Sequence, residues 1–180
     1  SNRGNINLFA VIFSTLTVVA FSFLTIDKFK QNQETKVLPA SSTIYYVSST
    51  NGSDNNSGTA DKPFKTIKYA VAKATPGTTI FVKKGTYKEK ITISNKKGTS
   101  QSPISIVGEG SNLADYPVLD GGDVNFTSKK DSPVFTIQNS SWINIERLKI
   151  TNSTYSSIFL DASHYITIRR NNIAYHSYGV

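Results

Sequence analysis

A chain of 180 residues with no cysteine can hold no disulfide framework, zinc knuckle or thiol nucleophile. Its 20 Lys and Arg against 12 Asp and Glu give a net charge of +8 and a pI near 9.6. The basic residues fall in separate pairs, Lys83-Lys84, Lys96-Lys97, Lys129-Lys130 and Arg169-Arg170, without a nucleic-acid-binding motif, so they read as solvated turns or as an attraction to an acidic glycan, with no nucleic acid as partner.

After an amino-terminal tail, residues 1–7, the run Leu8–Ile26 carries no charge. It suits a membrane-spanning helix, which needs about 20 apolar residues. It also suits a cleavable signal segment with Val18-Val19-Ala20 at its cleavage site, or a buried helix. Either of the first two puts the rest of the chain outside the cytoplasm, secreted or membrane-anchored. Residues 27–42 are polar, aperiodic and read as a linker. The folded domain is expected over 43–180. The chain has no Met, and Tyr178-Gly179-Val180 falls where another apolar strand is due. It therefore reads as a fragment, truncated at its carboxyl end, whose open last edge invites association.

Within the domain, Ile44–Val47 reads as a strand, and 48–59 as a loop of Ser, Asn, Gly and Asp. Asp54 suits a loop folded by side-chain bonds; with Asn51 and Asn55 it could instead cradle calcium. Pro63–Thr75 reads as a helix, with Ile67, Ala70, Val71 and Ala74 on one face and Lys65, Lys68 and Lys73 off it. Pro76-Gly77 ends it. Strands are predicted over Thr79–Val82, Ile91–Ile93, Ile104–Val107, Val118–Asp120, Val134–Ile137, Trp142–Ile145, Leu148–Ile150, Ile158–Leu160 and Tyr165–Ile168. Gly85-Thr86, Lys97-Gly98, Gly110-Ser111 and Gly121-Gly122 are turn signals between them.

Two stretches, Val134–Ser153 and Ser157–His176, repeat at a spacing of about 23 residues. Phe135 falls on Ile158, Ile137 on Leu160, Trp142 on Tyr165, Ile143 on Ile166, Ile145 on Ile168, Arg147 on Arg170 and Ile150 on Ile173. A repeat of short alternating strands is the mark of stacked units that cannot bury their apolar faces alone. The fold class predicted is mainly β, a parallel β-helix (solenoid) with coils of about 22–25 residues. The amino-terminal α-helix caps its first coil.

The elements Tyr45-Tyr46-Val47, Asn51-Gly52-Ser53-Asp54, Gly58-Thr59, Pro63-Phe64-Lys65-Thr66-Ile67, Pro76-Gly77-Thr78-Thr79-Ile80, Gly85-Thr86-Tyr87 and Glu89 carry a family likeness. Gly98-Thr99, Pro103-Ile104-Ser105-Ile106 and Pro117-Val118-Leu119-Asp120-Gly121 extend it. Together they resemble the amino-terminal part of right-handed parallel β-helix proteins of the pectate lyase family 9 type, with the chondroitinase B and alginate lyase group close behind. The resemblance implies action on an acidic polysaccharide, as a uronan lyase working by β-elimination. In that chemistry calcium neutralises the uronate carboxylate and a Lys or Arg removes the adjacent proton. A non-catalytic surface or glycan-binding solenoid is the alternative.

A calcium site needs several carboxylates on adjacent coils. Asp120, Asp123, Asp161 and Glu146 are single acids on separate features, and Glu146 falls beside Arg169. No cofactor is expected within this stretch, and the catalytic coils are expected beyond it, with calcium there. The candidate glycan contacts are Arg147 and Arg170, one coil apart, with Lys149 near them above Asn172. Trp142 over Tyr165 reads as an aromatic stack or a sugar platform. His164 and His176 show no acid partner, and Asn171-Asn172 reads as a turn-stacking pair.

Overall fold

The computed structural model describes residues 42–122, 133–154, 156–174 and 176–177. The tail, the apolar run Leu8–Ile26 and the linker up to residue 41 lie outside them, as do Asp123, Lys129-Lys130 and Tyr178-Gly179-Val180. Among the described residues no helix is long and apolar enough to cross a membrane.

Alternation of branched apolar and polar residues gives short strands with one face in and one face out. Among the described residues three larger parallel sheets and a two-stranded one result, with strands of successive coils stacked on one another. The first coil is β2 (Thr79–Val82), β3 (Thr86–Tyr87) and β4 (Ile91–Ser94). The second is β5 (Ile104–Gly108), β6 (Val118–Asp120) and β7 (Phe135–Gln138). The third is β8 (Ser141–Glu146), β9 (Lys149–Thr151), β10 (Ser153–Thr154) and β11 (Ile158–Asp161). The fourth is β12 (His164–Arg169), β13 (Asn172–Ile173) and β14 (His176–Ser177). One sheet runs β1-β2-β5-β8-β12, with β1 (Ile44–Val47) laid on the first coil. A second runs β3-β6-β9-β13 and a third β4-β7-β11, while β10 pairs with β14.

The predicted stacking pairs are register partners: Ile143 with Ile166, Ile145 with Ile168, Phe135 with Ile158 and Ile150 with Ile173. Ile80, Ile106 and Ile145 form one buried inward row, each worth roughly 1.5–3 kcal/mol on burial. The coils are less uniform than expected. Ser140 and Ser163, one coil apart, are 23 residues apart, but Ser105 and Asn144 are 39 apart. The second coil is longer because a 3-10 turn, Leu113–Asp115, precedes β6 and residues 121–134 separate β6 from β7. This is why the repeat is visible only in the third and fourth coils.

The helix α1 spans Ile67–Lys73, shorter than the predicted Pro63–Thr75. Phe64 is held extended along β1: its N–H donates to Tyr46 O at 2.9 Å, and its carbonyl accepts from Ser48 N at 2.9 Å. With Tyr46 N on Gly58 O at 2.8 Å, this loop occupies the outer edge of β1 and removes a row of open donors and acceptors. Ile67, Ala70, Val71 and Ala74 are buried against the first coil, while Lys65, Lys68 and Lys73 face solvent. Thr86, read as part of a turn, instead begins β3 against Val118.

Gly108 shows how tightly the coils stack. A Cβ there would lie 2.0 Å from the carbonyl oxygen of Arg147 in the next coil, and backbone cannot yield as a side-chain tip can. Gly108→Ala is expected to lower stability by roughly 1–3 kcal/mol, read as a lower urea midpoint at unchanged slope.

Candidate functional site

The amino end of α1 collects two carboxylates from other segments. Thr66 Oγ1 accepts from Tyr69 N at 3.1 Å, and Glu89 accepts from Ile67 N through Oε1 and from Lys68 N through Oε2, both at 2.9 Å. Asp54 Oδ1 accepts from Lys65 N and Thr66 N, and its Oδ2 from the Thr66 hydroxyl. The first backbone donors of a helix have no partner within it, so these carboxylates are structural. Asp54 thus accepts three bonds, and the 51–55 loop is folded by side-chain bonds. At the other end Lys96 Nζ donates to Ala72 O and Ala74 O, both at 2.8 Å.

Outside this clamp lies a cationic cleft. One cavity of about 280 Å³ is lined by Ser49, Lys65, Thr66, Thr86, Tyr87, Lys88 and Glu89. Its neighbour, about 550 Å³, is lined by Lys68, Lys88, Glu89, Lys90, Gly121 and Gly122. The four lysines are exposed, and the carboxylate they surround is tied to the helix amides. The arrangement can hold an anion. It offers no base from Tyr87, whose hydroxyl donates to Lys83 O at 2.8 Å and whose pKa burial pushes up to about 12.

Sequence reasoning missed this cleft. Its cations come from the start of α1 and from the β3–β4 turn, two segments that the Glu89 bonds join at this point. The residues singled out instead lie along another corner. Arg147 and Arg170 end β8 and β12 in the left-handed region, at φ 54° and 55°. Arg147 Nε donates to Gly108 O at 3.0 Å, which gives it a structural duty, and Arg170 is exposed. Lys149 stands in register with Asn172, as expected, and with Val118.

Glu146 and Arg169 form an ion pair at 2.8 Å. Asp120 Oδ1 accepts from Gly122 N and Asn152 Nδ2. Asp161 is exposed at the end of β11. Asn171 bonds Leu148 N and Ile145 O of the coil below, the turn-stacking role expected of it. His176 lies in β14 opposite Ser153. Among the described residues no three His, Asp or Glu stand close enough to hold a metal ion.

The aromatic pair turns outward. Trp142 and Tyr165 stack with ring centroids 4.2 Å apart at 15°, and His164 meets Tyr165 edge-on at 5.2 Å. Both aromatic residues sit at φ 56°, a backbone state costing roughly 1–3 kcal/mol for a bulky side chain. The stack itself returns only about 0.5–1.5 kcal/mol.

Residues 45–179 match the model of the Pel9A-like, right handed beta helix region. The chain belongs to this family. It is 32% identical over 173 residues, 92% of its length, to the uncharacterized protein YwoF of Bacillus subtilis (strain 168). It is 34% identical over 140 residues, 70% of its length, to pectate lyase PEL9 of Emericella nidulans. It spans about a third of these relatives, 34% and 33% of their lengths. Among solved structures, a rhamnogalacturonan lyase superposes at TM-score 0.53 with 20% identity, covering 73% of this chain and 36% of that one. A GH136 lacto-N-biosidase from Eubacterium ramulus superposes at 0.50 with 19% identity, covering 74% and 30%. These two likenesses carry the fold alone.

As a member of this family the chain presents the clamp as a measurable element. The Glu89 carboxyl is raised above its usual range, first by burial and further by Asp54, against the lowering effect of its two amide bonds. The folded state therefore holds the proton more tightly than the unfolded one. This contribution to stability is complete below the unfolded pKa and is lost as pH rises through the folded one. In urea melts from about pH 4 to about pH 7, wild type is expected to lose ground relative to Glu89→Gln. Glu89→Ala, which leaves both amides without an acceptor, is expected to cost about 1–3 kcal/mol.

Proposed function

We propose that this chain is the amino-terminal part of a β-helix protein that acts on an acidic polysaccharide, a uronan lyase working by β-elimination. The observation that carries this reading is the cleft in which Lys65, Lys68, Lys88 and Lys90 surround a carboxylate already committed to the α1 amides. Such a cleft attracts a chain of carboxylates at long range and holds it by several weak pairs. Membership in the pectate-lyase-like family supports the same substrate class.

The catalytic coils belong, on this proposal, outside these residues. Relatives of which the matched residues make up only 34% and 33% support that, as do the inward residues Ile168 and Ile173 of the fourth coil, 38% and 44% exposed. Calcium would serve in those coils, and Leu8–Ile26 would direct the protein out of the cytoplasm as a membrane anchor or a signal segment. A second reading, a glycan-binding solenoid without catalysis, is favoured by one observation. The carboxylates nearest the cleft, Asp54 and Glu89, already accept from the backbone at the start of α1 and hold the fold together there.

Electrophoresis through gels containing polygalacturonate is expected to retard the chain, more so at low salt, while neutral dextran leaves it unretarded. Lys68→Glu with Lys88→Glu is expected to weaken retention roughly tenfold. Equal mobility in the two gels would refute the acidic partner. The 180 residues are expected to release no unsaturated uronide, with or without calcium, as followed by ultraviolet absorbance. The longer protein is expected to release it, and its failure to do so would leave the binding reading.

A further inference from the structure

We propose that the outer corner at the start of β8 and β12 is a second carbohydrate site, one that takes a neutral pyranose chain. Trp142 and Tyr165 form its platform. Tyr165 is 62% exposed in the fourth coil, and Trp142 in the third is half-buried beneath it. At the same corner one coil below stands Gly98, whose Cβ would meet the Trp142 carbonyl at 2.7 Å. The fold thus places a residue without a side chain there in one coil and aromatic rings in the next two, under backbone strain that glycine would relieve. Core packing does not account for rings placed outward at strained positions; stacking against the C–H face of a sugar does.

Next to the platform the sheet turns out a row of uncharged polar groups, Ser105, Asn144 and Thr167 in register. Asn144 Nδ2 donates to Ser105 Oγ at 3.2 Å, which orients the amide while its oxygen can take a sugar hydroxyl. The next outward row is closed electrostatically by the Glu146–Arg169 pair. Aromatic face, amide and hydroxyls without net charge fit neutral sugar rings, whereas the lysine cleft fits carboxylates. The two sites differ in ligand class and in salt dependence, so either can fail without the other.

Trp142 is the sole tryptophan of the 180 residues, so its fluorescence reports on this corner. The chain, held in a detergent without sugar head groups, would be titrated with neutral gluco-, manno- and galacto-oligosaccharides and with oligogalacturonate, at low and high salt. At least one neutral series is expected to shift the emission with an affinity that salt leaves unchanged. Tyr165→Ala is expected to weaken it about tenfold, and Tyr165→Phe to retain it. Thr167→Arg, an exposed change that leaves the stack in place, is expected to weaken it as well. The proposal fails if no neutral oligomer shifts the emission, if both Tyr165→Ala and Thr167→Arg bind as wild type does, or if only oligogalacturonate responds and salt abolishes the response.

Discussion

The structure depends on how a short helix is fastened over the open end of a stack. A seven-residue helix is too short to persist in water on its own. Here opposite charges meet both of its ends, Glu89 and Asp54 at the amino end and Lys96 at the carboxyl end. Each sign matches the helix dipole at its end. Glu89 and Lys96 flank β4, so the first coil holds the helix at both termini, and Ile67, Ala70 and Val71 are pressed onto the coil's apolar rim. The open edge of β1 is closed by the loop that Asp54 pins. Without this fastening the first coil would expose both its interior and a strand edge.

That fastening also creates the cationic cleft. Drawing Glu89 onto the helix amides brings the lysines on either side of it, Lys88 and Lys90, to the end of α1, where Lys65 and Lys68 already point outward. The carboxylate in their midst accepts from Ile67 N and Lys68 N. One contact thus both fastens the helix and gathers these cations.

Much of the fold was legible in the residues because a solenoid makes the same demand in every coil. Branched residues at I-x-I spacing announced the inward rows, and the match of Ile143 to Ile166 and Ile145 to Ile168 gave a register that holds. The length of the second coil was not legible, since inserted turns leave the register of its strands untouched and carry no periodicity. The true start of α1 was hidden as well: Pro63 and Phe64 read as a first helical turn, but Phe64 is bonded to β1 through both its backbone groups. Propensity yielded there to a tertiary contact. Arg147, Lys149 and Arg170 were singled out because they follow the repeat, and they lie along another corner than the lysine cleft. The cleft was not singled out, because its four cations belong to two segments that no spacing connects.

The left-handed corners explain both what can be read and what the surface offers. Asn95 and Asn139, at φ 56° and 44°, occupy one corner in successive coils and bond to each other at 2.6 Å. Asparagine tolerates this backbone and turns it into a ladder. Arg147 and Arg170, and Trp142 and Tyr165, hold the same backbone without that advantage. Arg147 recovers something by bonding Gly108 O. The exposed Tyr165 ring recovers its stack on Trp142 and an edge contact with His164. Asn95, Asn139 and Asn152 serve such corners with a residue that tolerates them, whereas Arg170 and Tyr165 hold theirs with exposed side chains. The solenoid thus separates its duties by position, with packing on the inward rows and turning at the asparagine corners, and leaves strained outward residues free of either duty.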